Sequence, residues 1–396
     1  MKNRFLFNEI KKYIEHKNAL IITGMRQVGK TTVMKSIFED LINKPKVWLD
    51  FDNPLEQKIF EDLEYKNIYK ALKDLSRAKG KDRLFVFIDE IQNFPEATKA
   101  VKYLIDHYGV KFFITGSSSF YLKNLFPESL SGRKFLYNLS PLSFKEYLYF
   151  KGKVSLKKAS KIDIAEALNK KSIVEFKEFQ ADYENYLQFG GFPEVVMTED
   201  IDTKKQVLKN IFASFFEKDL KIMSDYKDIR ELRDLILLLV PRVGSMMDVT
   251  KLANELCVDR PKIYNYLEFL QGTFFIKLVS KFSRSVDRSV AGGKKIYFSD
   301  TGILNIIGKV NDAQLFENAV INQLANYKTI SFYNKKNVNE IDAILDKKIA
   351  FEIKLKGIPA NLKKLEKITE KIAINKSYII SKEFVDFENV VFPMFL

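Results

Sequence analysis

The chain has 396 residues, 46% of them hydrophobic and 13% aromatic, and a formal charge of +14. Its length exceeds the size at which one core stops growing, so two or three domains are expected, and the composition excludes long disorder. Cys257 is the only cysteine and His16 and His107 the only histidines, which excludes an internal disulfide and a thiolate metal cluster.

No apolar run reaches the roughly 18–20 residues of a membrane-spanning helix. The first residues, Met1-Lys2-Asn3-Arg4-Phe5, lead into a charged helix rather than an apolar signal segment. The cytoplasm is therefore the expected compartment, with no membrane partner. The positive charge favours a polyanion, most commonly nucleic acid, against the plainer reading of a lysine-rich bias.

Through residue 150, apolar runs alternate with amphipathic helical stretches, the pattern of a parallel sheet wrapped by helices. Strands are expected at residues 19–23, 46–51, 84–88, 112–115 and 134–139. The first strand runs straight into Gly24-Met25-Arg26-Gln27-Val28-Gly29-Lys30-Thr31, a G-x-x-x-x-G-K-T phosphate loop in its proper strand-then-helix setting. Its glycines let successive N–H groups turn inward on phosphate oxygens. Gly24, Arg26, Gln27, Val28, Gly29, Lys30, Thr31 and Thr32 are the expected nucleotide contacts. Lys30 would reach the β- and γ-phosphates, and the Thr31 hydroxyl would ligate Mg²⁺. The third strand ends in Asp89-Glu90. Asp89 would hold the Mg²⁺ shell, and Glu90 would polarise the attacking water. The fourth strand ends in Thr115-Gly116-Ser117-Ser118, where Ser117 is the expected γ-phosphate sensor, with helix capping as the plain alternative.

These motifs, with Ser131-Gly132-Arg133, Gly190-Gly191-Phe192-Pro193-Glu194 and Lys295-Ile296-Tyr297-Phe298-Ser299-Asp300-Thr301-Gly302, resemble the archaeal-type AAA+ ATPases of prokaryotes. The resemblance covers nearly the whole chain. It implies ATP as the nucleotide and a C-terminal domain of unknown function. It also gives Arg133 the role of stabilising charge on the γ-phosphate. Whether Arg133 would act in its own chain or in a neighbour's site of a homo-oligomer is not set by the sequence.

Residues 151–228 read as a helical insertion and lid, and residues 229–299 as a winged helix–turn–helix. In the latter, Asp248 and Asp259 would cap two helices. The second helix would bury Ile263, Tyr266, Leu267 and Leu270 and present Arg260, Lys262 and Asn265 to DNA. A β pair with the basic tip 284–288 would form the wing. Domain packing is the competing use of such a module.

Residues 300–396 follow an α-β-β-β-α-β order similar to the PD-(D/E)xK restriction-endonuclease fold. Asp342 and Glu352 would bind a metal, Lys354 would stabilise the pentavalent phosphate, and Glu317 matches an extra acid on the first helix. The expected architecture is thus an α/β P-loop NTPase core (1–150) of AAA+ type with a helical lid, a winged helix and a nuclease-like C-terminal domain. The expected function is Mg²⁺-dependent ATP hydrolysis acting on DNA. A nucleotide-gated switch with little turnover and an ATP-regulated DNA nuclease are the alternatives.

Overall fold

The computed structural model describes residues 2–79, 82–116, 130, 132–160, 163–219, 226–285, 292–335 and 339–396. The chain divides into two compact units, one of residues 1–140 with 272–274 and one of residues 141–271 with 275–396.

The first unit is built on five strands, β1 Ala19–Thr23, β2 Lys46–Asp50, β3 Phe85–Asp89, β4 Lys111–Gly116 and β5 Lys134–Asn138. They form a wholly parallel sheet in the order β2-β3-β4-β1-β5. β1, β3 and β4 are buried along their full length, which is why each reads as a continuous apolar run rather than an alternation. Helix α1 is Phe5–Lys11, α2 Lys30–Asp40, α3 Tyr65–Ser76 and α4 Ala97–Tyr108. Ile68 and Leu72 of α3 and Val101 and Leu104 of α4 cover Ile21, Val86 and Ile114 on one sheet face. On the other, Phe38 of α2 packs edge-on against Trp48 and Phe87. Because all five strands run the same way, the loops after β1, β3 and β4 emerge at one edge of the sheet. That carboxyl edge is where open α/β sheets bind ligands.

In the second unit the helices used below are α5 Ile173–Phe189, α6 Tyr226–Leu239, α7 Val249–Leu256, α8 Arg260–Gly272, α9 Thr301–Ile307, α10 Asp312–Leu324 and α11 Pro359–Lys371. The strands are β6 Ile276–Lys281, β7 Lys294–Phe298, β8 Ile330–Lys335, β9 Asn339–Leu345, β10 Ile349–Lys354, β11 Lys376–Ser381 and β12 Val390–Val391. They form one seven-stranded mixed sheet in the order β12-β11-β10-β9-β8-β6-β7. The α-β-β-β-α-β succession of the C-terminal segment is present from α10 to β11.

This sheet corrects the expected domain boundary at residue 299. The hairpin β6–β7, read from sequence as a wing, pairs through β6 with β8, aligning Ser280 with Ser331 and Lys281 with Phe332. It is an edge of the C-terminal sheet rather than a separate module. Pairing between strands some fifty residues apart leaves no trace in local periodicity.

Two of the sequence signatures lock together here. Asp300 caps α9, its carboxylate accepting from Ile303 N at 3.0 Å and from Gly191 N at 2.7 Å. Gly190, which ends α5, has φ +74°, and a Cβ there would lie 2.1 Å from Asp300 Oδ1. Only glycine fits both the backbone and the space. Burial pushes the Asp300 carboxyl up to about 6, against the pull of the backbone N–H groups of Gly191, Ile303 and Gly302.

Candidate functional site

The phosphate loop leaves β1 at Gly24, whose φ of +147° and approach to the Leu139 carbonyl, 2.1 Å from any added Cβ, admit only glycine. At the far end Gly29, with φ +96°, is the N-cap residue of α2, so the helix begins at Lys30. Lys30 is only 5% exposed, and its Nζ donates to the carbonyls of Gly24 at 3.0 Å and Met25 at 2.8 Å. A buried cation thus sits in the curl of the loop at the positive end of α2, the arrangement that binds phosphate.

Asp89 ends β3 and is 5% exposed. It accepts a hydrogen bond from the Thr115 hydroxyl, and the Thr31 hydroxyl lies within electrostatic reach. Burial raises its pKa, those two hydroxyls oppose the rise, and the charges of Glu90 and Asp50 add to it. Glu90 adopts a left-handed backbone with φ 55°. Its N–H donates to Thr115 Oγ1 at 3.1 Å and its carboxylate accepts from Gln92 Nε2. The residues fit a nucleotide with magnesium: an ammonium for phosphate, and a carboxylate and a hydroxyl within electrostatic reach of each other for the ion.

A second polar cluster lies on the C-terminal sheet. Lys354 Nζ stands 2.8 Å from Glu352 and 3.9 Å from Asp342, while Asp342 Oδ2 accepts from Ile353 N at 2.8 Å. Glu317 of α10 accepts from the Tyr297 hydroxyl at 2.7 Å and lies 3.6 Å from Lys295 Nζ. Lys295 is 2% exposed and also pairs with Glu340 at 2.7 Å. Burial, reinforced by the Asp342 charge, pushes Glu317 up to about 7, against Lys295 and the Tyr297 hydroxyl.

Residues 16–148 match the family described as AAA domain. This part of the chain is similar to that family. Residues 180–314 and 313–394 match two families described as Domain of unknown function, DUF8612 and DUF4143. The chain is 28% identical to an uncharacterized protein of Methanocaldococcus jannaschii, over 82% of this chain and 71% of that one. It is 27% identical to an uncharacterized protein of Haemophilus influenzae, over 87% and 86%. Among solved structures, the ORC1 protein of Aeropyrum pernix in complex with DNA matches with a TM-score of 0.33 and 11% identity, covering 76% of this chain and 90% of that one. Cdc6p of Pyrobaculum aerophilum matches with a TM-score of 0.30 and 12% identity, over 80% and 92%.

Within the AAA domain, the structure brings Lys30, Thr31, Asp89 and Glu90 to one edge of the sheet, with Arg26, Gln27, Val28 and Thr32 along the loop and first turn. Ser117 lies outside the described residues. Arg133 lies away from its own phosphate loop. It precedes β5, whose Lys134 aligns with Ala19 at the start of β1, so it stands at the amino edge of the sheet. There it pairs with Asp106 at 2.6 Å, the length of a strand away from its own phosphate loop.

Two contributors to the nucleotide site escape sequence reading. Thr115 is one, and its only signal is a hydroxyl closing an otherwise apolar strand. Arg4 is the other. It is 3% exposed and its guanidinium donates to the carbonyls of Val28 in the loop and Ser140. Nothing local marks it, because it joins the loop only when the chain folds. Arg4→Ala leaves those carbonyls unpaired and loosens the loop, so triphosphate affinity in calorimetry should fall about tenfold, the equivalent of one lost charged hydrogen bond.

Two further expectations are corrected in the second unit. Lys262 is not free for DNA, because its Nζ is clamped between Asp228 at 2.7 Å and Glu231 at 2.6 Å of α6. Those two carboxylates hold its pKa above the ordinary lysine value. Arg260 and Asn265 are exposed as expected, and Ile263, Tyr266, Leu267 and Leu270 are buried. Asp342, Glu352 and Glu317 lie within electrostatic reach of one cluster, around Lys354, but among the described residues no three acidic, histidine or cysteine side chains form a group that could hold a metal ion. Lys354 and Lys295 take up the carboxylates instead. Among the described residues no helix is long and apolar enough to cross a membrane.

Proposed function

We propose that the chain is a Mg²⁺-dependent ATPase that acts at DNA in the cytoplasm, with residues 1–150 as the ATPase core and 151–228 as a helical insertion and lid. The observation that carries this reading is the hydrogen bond from Thr115 to Asp89, with the Thr31 hydroxyl within electrostatic reach, at the sheet edge that also holds the Lys30 ammonium. Lys30 would bind the β- and γ-phosphates. Thr31 and Asp89 would hold Mg²⁺, which when bound neutralises charge on the transferred phosphoryl group. Glu90 would orient the attacking water, and Thr115 fixes both acidic residues through one hydroxyl. The choice of adenine rests on the family resemblance. Action at DNA is supported by the charge of +14 and by exposed Arg260 and Asn265 on α8.

Calorimetry with ATP and Mg²⁺ tests the reading. Uptake at micromolar ligand by the wild type, lost in Lys30→Ala, is the expected result. No uptake at millimolar ligand would end it. Uptake with phosphate release no faster than the uncatalysed rate, with or without duplex DNA, would leave a nucleotide-gated switch.

A second reading, DNA cleavage at the C-terminal cluster, is favoured by the contact of Lys354 with both Asp342 and Glu352 on paired strands. Plasmid nicking in Mg²⁺ or Mn²⁺ that Asp342→Ala and Lys354→Ala both abolish would support it. Equal nicking by wild type and both variants would dismiss it.

A further inference from the structure

Helix α11 packs Leu362, Leu365 and Ile368 onto the C-terminal sheet against Ile344, Ala350 and Ile379. Its outer side carries Lys363, Lys367 and Lys371 at four-residue intervals, all exposed. At 1.5 Å per residue the three ammonium stems rise about 6 Å apart along one face, a stripe about 12 Å long. Some lysines elsewhere in this unit are drawn onto carboxylates, as Lys262, Lys295, Lys354 and Lys382 are. Among the described residues none of the three stripe lysines forms an ion pair, although Glu366 and Glu370 lie on the same helix.

Two neighbours lengthen the stripe. At the C-terminal end of α11, Arg284 donates from Nη2 to the Ile372 carbonyl at 3.2 Å. Arg284 is the first residue of the basic tip 284–288 that the sequence assigned to a wing; residues 286–288 lie outside the described residues. Towards the other end, Lys364 lies within electrostatic reach of Glu352 in the Asp342–Glu352–Lys354 cluster. Five cations, Lys363, Lys364, Lys367, Lys371 and Arg284, thus line one helix, and among the described residues the three on the outer face form no ion pair.

We propose that Lys363, Lys367 and Lys371, continued by Arg284, form a track for the phosphate backbone of duplex DNA. Duplex DNA carries a negative charge about every 1.7 Å of axis, so a stripe of this length meets several phosphates at once. Contacts of this kind position the duplex without reading its sequence. The proposal deepens the reading that the chain acts at DNA and rests on it. It makes α11, rather than the clamped Lys262 on α8, the main electrostatic contact.

Fluorescence anisotropy of a mixed-sequence 20-base-pair duplex against the full chain, across a salt series, tests it. Wild type should bind with a steep salt dependence. The triple variant Lys363→Gln, Lys367→Gln, Lys371→Gln should bind at least tenfold more weakly, with a log–log slope shallower by about 3, one ion per lost lysine. The triple arginine variant should bind as wild type does, and both variants should hydrolyse ATP at the wild-type basal rate. A glutamine variant that matches wild type in affinity and slope overturns the track while leaving DNA action standing. That holds all the more if Arg260→Ala with Asn265→Ala loses binding. A wild type that ignores the duplex at low salt, or binds only anionic lipid vesicles, overturns both.

Discussion

Glu90→Gln is expected to bind ATP as wild type does and to release phosphate about 10²–10⁴-fold more slowly, the ordinary contribution of a positioned general base. The effect is confined to turnover because the change leaves the site's framework in place. The Glu90 N–H still donates to Thr115, and glutamine offers Gln92 a carbonyl oxygen in place of the carboxylate. Lys30, Thr31 and Asp89 are untouched. Thr115→Val makes the contrasting case, removing the hydroxyl that touches both Asp89 and the Glu90 N–H, so affinity for the magnesium-bound nucleotide and turnover should fall together. Calorimetry and steady-state phosphate release on the same preparations separate the two. An unchanged rate in Glu90→Gln would remove Glu90 from the chemistry.

The second large effect is on stability. Asp300→Ala strips the acceptor from the N–H groups of Gly191 and Ile303, both buried where α5 meets α9. Each orphaned buried donor costs about 1–3 kcal/mol, so the second unit should lose several kcal/mol and unfold at markedly lower urea. Asp300→Asn keeps one acceptor and should lose less. The carboxyl also sets a pH dependence. Its folded pKa of about 6 lies above the ordinary 3.8, so the folded state holds this proton more tightly than the unfolded chain. Its contribution is therefore complete below pH 4 and is lost as pH rises through 6. The gap in unfolding free energy between wild type and Asp300→Asn should narrow across that window. A gap that widens with pH would show the carboxylate to be stabilised by its N–H partners more than burial penalises it.

Strands β1, β3 and β4 were legible almost to the residue, because strands buried on both faces must be apolar throughout and a turn motif punctuates each end. The caps at Asp248 and Asp259 were equally plain, since each depends on a side chain three residues from its N–H partner. What failed depended on distant partners. Lys262 occupies a solvent-facing phase of its helix, but two carboxylates of α6 reach across to it. Arg4, Thr115 and Lys295 acquire their roles only through tertiary closure. Arg133 precedes a strand of a parallel sheet, which sets it at the edge away from its own carboxyl-end loops and bears only on the own-chain half of its expected role.

The sewing of β6 into the C-terminal sheet has a mechanical meaning. Helix α8 runs through a tight turn, closed by the Phe275 N–H on the Leu270 carbonyl, directly into β6. β6 is in turn hydrogen-bonded to β8 on one side and to β7, which carries Lys295 and Tyr297, on the other. A winged module hung on a linker could swivel alone. Here the strand that follows the helix is held on both sides by ladder hydrogen bonds, so it cannot turn independently of the strands that carry the lysine–carboxylate cluster unless those bonds are torn first.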